Sequence, residues 1–248
     1  NYGTNPRLHM GITDVAKMDL AQWSQKELLN QPVTVHLTTY KANKRTHELQ
    51  YPRGTTIYEI QHVEDPATDD TSPLLGQEVN INGVVTAEFW GSSNNRQMFV
   101  QDAEGPWNGI QCYRNEGWDT FEWVDASGLP YPNGPAEGDE VTLSGTVESF
   151  SGGTQLGSVS LGMVHGPAAQ MIMPSIVSIG DLGEAYEGCL VALESIHVDS
   201  ENPDAPGGDY GEWSVSDGTN SVRVDDKWDY YFYPELQQQL SYLEGVLD

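Results

Sequence analysis

The sequence predicts a mainly β chain made of two tandem copies of one small five-stranded module, preceded by an N-terminal helix and β-hairpin. Three observations carry this. Residues 75–87 place Val79, Ile81, Val85 and Ala87 on one face and Asn80, Asn82 and Thr86 on the other, the period of two of a half-buried strand. Residues 98–102, the turn-rich 103–106 and residues 109–113 then read as a hairpin. The same order recurs at 188–198, 213–220 and 222–224, with Gly76 and Gly188 112 positions apart, Asp102 and Asp217 115 apart, and Gly145 and Gly245 100 apart.

In chain order, Thr13 is a helix N-cap candidate. Val15, Met18, Leu20, Trp23 and Leu28 follow at roughly helical spacing until Pro32. Residues 33–40 alternate as a strand, 41–45 make a basic turn, and 46–51 return as the hairpin partner. A short lead-in at 55–61 and an acidic loop at 64–72 precede the first module, in which Gly83 marks a bend or bulge. The insertion at 115–135 carries Trp118, Phe121, Trp123 and Tyr131; a loop this long is expected to pack on its own aromatics. Residues 140–148 form strand four, and Gly152 and Gly153 turn into strand five.

A Pro- and Met-bearing connector covers 163–181, and residues 234–243 of the second module have helical character. Residues 243–248 match 143–148, so the second module stops short of a fifth strand. The expected division is a basic extension (1–54), module one (55–162), connector (163–181) and module two (182–248). The chain begins at Asn1 without Met or a signal peptide and reads as a processed piece of a longer precursor.

Charge is distributed unevenly. Residues 1–53 hold seven basic and four acidic residues, net +3, whereas the remaining 195 hold four basic and 33 acidic, net −29. A body this acidic repels phosphate backbones and argues against generic nucleic-acid binding. It suits solubility in a salty exterior, or docking of the basic arm on an acidic body. No apolar window approaches the roughly 18 residues needed to span a bilayer. Cys112 and Cys189 read as two small buried hydrophobes, or as one inter-module disulfide that an extracellular address would permit.

No catalytic constellation emerges, and the chain is expected not to be an enzyme. His9, His36, His47, His62, His165 and His197 are scattered without zinc-ligand spacing, and neither a nucleophile-elbow nor a P-loop motif occurs. Asp199, Glu201, Asp204 and Asp209 are a candidate structural calcium site, as are Glu64 and Asp65 with Asp69 and Asp70; the alternative is solvated acidic loops. Phe99, Trp107, Tyr113, Trp213 and Trp228 could form a stacking platform for single strands. Only Arg96 and Arg114 lie near it, so core or protein-contact roles are favoured.

Residues 55–61, 72–77, 82–86, 99–102, 137–139 and 143–147 resemble the OB-fold modules of bacterial secreted nucleases and of surface proteins with sorting signals. That resemblance implies two tandem OB-fold-like five-stranded barrels and an extracellular or cell-surface address. With the incomplete second module, it leads to the expectation of a structural or interaction subunit, a homo-oligomer or partner of another surface protein, assembled by strand complementation through the N-terminal arm. The alternative is a nucleic-acid-binding accessory region of a secreted nuclease or phosphoesterase. The expected contact residues are Val33, Val35, Leu37, Lys41, Lys44, Arg45 and Leu49 in the arm, and Tyr113, Arg114, Trp228, Tyr231 and Val246 in the modules.

Overall fold

The computed structural model describes residues 54–89, 96–225 and 234–248, together with the backbone pairing of Thr34–Val35 (β1) and Leu49–Gln50 (β2). The helix expected at 13–30 lies outside the described residues. β1 and β2 pair antiparallel, Thr34 opposite Gln50 and Val35 opposite Leu49, as the hairpin reading expects. They form a two-stranded sheet that joins neither of the two larger ones. Among the described residues no helix is long and apolar enough to cross a membrane.

The chain is mainly β, as expected, with two larger sheets. The helix α1 (Ile57–Gln61) opens the first unit with a reciprocal capping box between Thr56 and Glu59, and drives Ile57 and Ile60 into the core. The first sheet comprises β3 (Glu78–Glu88), β4 (Gln97–Gln101), β5 (Gly109–Tyr113), β6 (Val124–Asp125), β7 (Asp139–Phe150) and β8 (Gly153–Pro167). Its order is β5-β4-β3-β7-β8-β6, and an additional parallel pairing of β5 with β8 closes five of the strands into a ring.

Alternation along the strands explains the packing. Val79, Ile81, Val85, Val141, Leu143 and Val147 point to a shared core, which Ile110, Leu156, Val159 and Val164 complete. The aromatic insertion closes one side: Trp118 and Trp123 are buried and stacked 5.4 Å apart, and Phe121 meets Trp123 edge-on at 4.9 Å.

Three expectations need correction. The bulge in β3 falls between Val85 and Ala87; Gly83 instead permits close approach, since a Cβ there would lie 2.6 Å from Val100 and 2.7 Å from the Gln101 carbonyl. Residues 163–167 belong to β8 rather than to the connector, because β6 and β7 both pair with them. Residues 239–243 are strand, not helix. Leu240 and Leu243 both pack on the second core from β13, opposite Ile196 and Leu193 of β10, which carries a left-handed residue at Ser195 (φ 56°).

The second sheet is built from β9 (Ser175–Ile176), β10 (Leu190–Ser200), β11 (Trp213–Ser216), β12 (Ser221–Val224) and β13 (Gln239–Val246). Its order is β12-β11-β10-β13, with β9 also on β10. The ladders share one register: Val79 opposes Gly145 in the first sheet and Val191 opposes Gly245 in the second. The sequence offsets of 112 and 100 are those of this superposition.

The two sheets meet backbone to backbone at Gly109 and Gly188. A Cβ on Gly109 would overlap the Gly188 carbonyl and lie 2.6 Å from the Cys189 nitrogen. Around that contact, the Trp107 N–H donates to the Ala185 carbonyl (2.6 Å), the Leu190 N–H to Gln101 Oε1 (2.5 Å) and Gln61 Nε2 to the Gly109 carbonyl (2.8 Å). Cys112 and Cys189 are free and buried, and burial pushes both thiols up. They behave as small core residues.

Candidate interaction site

The difference between the two sheets defines the site. In the first sheet β8 lies along β7, and a Cβ on Gly145 would sit 2.7 Å from the Gly157 carbonyl and 3.0 Å from Leu156. At the matching Gly245 nothing lies within 4 Å. Among the described residues no strand pairs with the outer edge of β13 or of β12. Unpaired edge amides and carbonyls are templates for another strand.

A cleft of about 500 Å³ opens beside this edge, lined by Ile179, Leu182, Val222 and Leu247 with Asp70, Glu184, Glu187 and Asp248, and by the β7–β8 turn at 151–153. The repeat explains its apolar floor. Ser178 starts a 3-10 turn as Thr56 starts α1, and its hydroxyl bonds Asp181 at 2.6 Å as Thr56 bonds Glu59. Ile179 and Leu182 thus stand where Ile57 and Ile60 stand, Val222 matches Ile110, and Leu247 matches Val147. The four first-sheet residues are fully buried beneath Leu156, which pairs with Val147. No counterpart of Leu156 covers the second set among the described residues.

The rim is acidic. Burial, then Glu184, Asp248 and Asp70, push the Glu187 carboxyl up to about 7, against the Thr154 N–H that favours its charged form. Burial and Asp70 also raise Glu184. Glu187 leans over Gly153 of the first sheet, where a Cβ would overlap its carboxylate. Because its folded value lies above the ordinary 4.5, Glu187 contributes stability that is present below pH 4.5 and is lost as pH rises towards about 7. Glu187→Gln is expected to remove that loss, on the order of 1–2 kcal/mol, in urea unfolding compared at about pH 5 and about pH 8. An equal pH dependence in the variant would contradict the assignment.

Of the contact residues expected from sequence, Val35, Leu49, Tyr113, Arg114 and Val246 lie among the described residues. Val35 and Leu49 lie in the separate β1–β2 pair; Val33, Leu37, Lys41, Lys44, Arg45, Trp228 and Tyr231 lie outside the described residues. Arg114 is a structural residue. Its Nε donates to the Gly117 carbonyl (3.2 Å), one terminal nitrogen donates to the Val159 carbonyl (3.3 Å), and the guanidinium lies 4.5 Å from the Phe121 ring centre. Phe99 and Trp213 are buried, Tyr113 at the end of β5 and Trp107 beside His62 are half-buried, and Trp228 lies outside the described residues, so two of the five platform candidates are core. Val246 packs on Ala87, Phe89 and Phe99 of the first sheet, fixing the end of β13.

The four calcium candidates are spread over separate partners. Asp199 accepts from Ser214 and Ser221 (both 2.5 Å), Glu201 from the Leu236 N–H (2.9 Å), Asp204 from Arg223 (2.8 Å) and Asp209 from the Gly211 N–H (3.2 Å). Among the described residues no group of three His, Cys, Asp or Glu side chains is placed to hold a metal. Sequence reasoning named Asp70 only as a calcium candidate and missed Glu184, Glu187, Ile179 and Leu182. The fixed offset could not find Ile179 and Leu182, because Thr56 and Ser178 are 122 positions apart whereas Gly76 and Gly188 are 112 apart. Searches of protein-family models, curated proteins and solved structures find no match for the chain.

Proposed function

We propose that the chain is a non-enzymatic, extracellular structural protein with two OB-fold-like units, which self-assembles as a surface or filament subunit by accepting a strand at the edge of its second sheet. The observation that carries the reading is the contrast between Gly145, covered by β8, and Gly245, open at the same register. The ring β5-β4-β3-β7-β8 supports the OB-type reading of the first unit, and the order β12-β11-β10-β13 repeats four of its five strands. Strand addition would satisfy the edge of β13 through main-chain hydrogen bonds. It would also cover the floor of Leu182, Val222 and Leu247, at roughly 25 cal/mol per Å² of apolar surface removed from water. The nucleic-acid alternative has less support, because Arg114 is held by carbonyls and rings and the cleft rim is anionic.

Removing residues 1–53 tests the reading. Sedimentation velocity across protein concentration is expected to show concentration-dependent assembly of the full chain and only monomers of the truncated one. Assembly that survives the truncation would exclude the arm as donor.

A further inference from the structure

We propose that the surface formed by Tyr58, His62 and Trp107 binds the guanidinium group of an arginine on a partner polypeptide, stacking it on the rings amid nearby carboxylates. None of the three residues lines the cleft beside β13, so this surface serves whether or not the chain self-assembles.

Three segments build it. α1 and its C-cap place Tyr58 and His62 four residues apart on one face, and their rings stack at 4.6 Å with 15° between the planes. The turn between β4 and β5 runs along α1. At the start of the helix Asp102 accepts from the Ile57 N–H (2.7 Å), and at its end Trp107 meets His62 edge-to-face at 5.3 Å. The second unit pins that turn, because the Trp107 N–H donates to the Ala185 carbonyl (2.6 Å). Tyr58 stays 44% exposed, and with one ring face against His62 its open part lies on the other.

Core packing does not account for the arrangement. The core takes Ile57 and Ile60 from α1 and none of the three aromatic residues. Trp107 holds φ at 67°, a left-handed value that bulky side chains rarely adopt, and this strained turn keeps an indole at the surface beside two further rings.

Charge selects the ligand. Residues 54–68 and 97–113, which supply the three rings, hold Glu59, Glu64, Asp65, Asp102 and Glu104 and no Lys or Arg. Burial chiefly, with Glu59 adding to it, raises the Asp102 carboxyl against the Ile57 N–H. Aromatic faces among carboxylates attract cations and repel phosphates. A planar guanidinium matches both a ring face and a carboxylate fork, which favours arginine over lysine. The chain makes the same contact internally, where the Arg114 guanidinium lies 4.5 Å from the Phe121 ring centre and 5.6 Å from that of Trp118. The exposed Tyr58 gives an open surface rather than a cavity, which suits a side chain carried by a larger partner.

The test titrates the full chain with N-acetyl-arginine amide, the arginine unit of a peptide, and follows the Trp107 indole and Tyr58 ring resonances by NMR. N-acetyl-citrulline amide, its neutral isostere, and a short oligothymidylate are titrated beside it. Saturable shifts at these rings are expected with the arginine probe, and binding about tenfold weaker with the citrulline. Tyr58→Leu and Trp107→Leu are each expected to weaken arginine binding about two- to fivefold, and Tyr58→Phe to leave it unchanged, because the ring face and not the hydroxyl holds the cation. Tyr58 is exposed, so its variants keep the fold, which their amide spectra check. Equal binding of citrulline, unchanged binding by Tyr58→Leu, or shifts spread over the acidic surface without saturation at Trp107 would each overturn the proposal. Binding of the oligothymidylate in place of arginine would assign the rings to nucleic acid and overturn it too.

Discussion

Replacing Gly109 with alanine is expected to cost on the order of 3 kcal/mol, the upper range for forcing atoms into a packed site. The added Cβ would overlap the Gly188 carbonyl, and backbone on both sides leaves no flexible side-chain end to swing away. Gly188→Ala adds a second penalty, because Gly188 is left-handed at φ 71° and its Cβ would meet the Ile110 nitrogen at 2.8 Å. Gly76 is the internal control. It is the repeat partner of Gly188, has φ 77°, and has open space around it, so Gly76→Ala should cost only the left-handed strain of about 1–2 kcal/mol. Chemical denaturation of the three variants checks this. Equal losses at Gly76 and Gly188 would mean that the sheets do not pack as described.

Gly145→Val and Gly245→Val form the second matched pair. In the first sheet a valine must displace the Gly157 carbonyl at 2.7 Å and Leu156 at 3.0 Å, and a loss of about 3 kcal/mol is expected. At Gly245 the added atoms meet nothing within 4 Å, and valine suits a strand better than glycine. The isolated chain should therefore keep its stability within about 0.5 kcal/mol. The same residue change at equivalent register positions thus separates a covered strand from an open one.

The repeat was legible in the sequence because strand alternation survives in both copies. The glycine offsets agree with the ladders residue by residue, down to Val79 opposite Gly145 and Val191 opposite Gly245. What escaped was less periodic. Leu240 and Leu243 are spaced like a helix, yet both pack on the second core from β13. The upstream repeat, Thr56 with Ile57 against Ser178 with Ile179, was hidden because 20 residues separate Thr56 from Gly76 but only 10 separate Ser178 from Gly188.

The site was only half legible. The match of residues 243–248 to 143–148 was readable, but the acidic rim of the cleft joins three separate places in the chain: Asp70, the turn of Glu184 and Glu187, and Asp248. No local pattern announces such a cluster. Arg114 stands near aromatics, where the sequence favoured a core or contact role over nucleic-acid binding, and its guanidinium is held by the Gly117 and Val159 carbonyls.

The central claim is that the second sheet is completed by a strand from another molecule, and sedimentation velocity on Gly245→Val beside the wild-type chain tests it most directly. The account predicts concentration-dependent assembly of the wild type and a folded, monomeric variant, because the valine would meet an incoming backbone as one at Gly145 would meet Gly157. A Gly245→Val chain that assembles as the wild type does would contradict it.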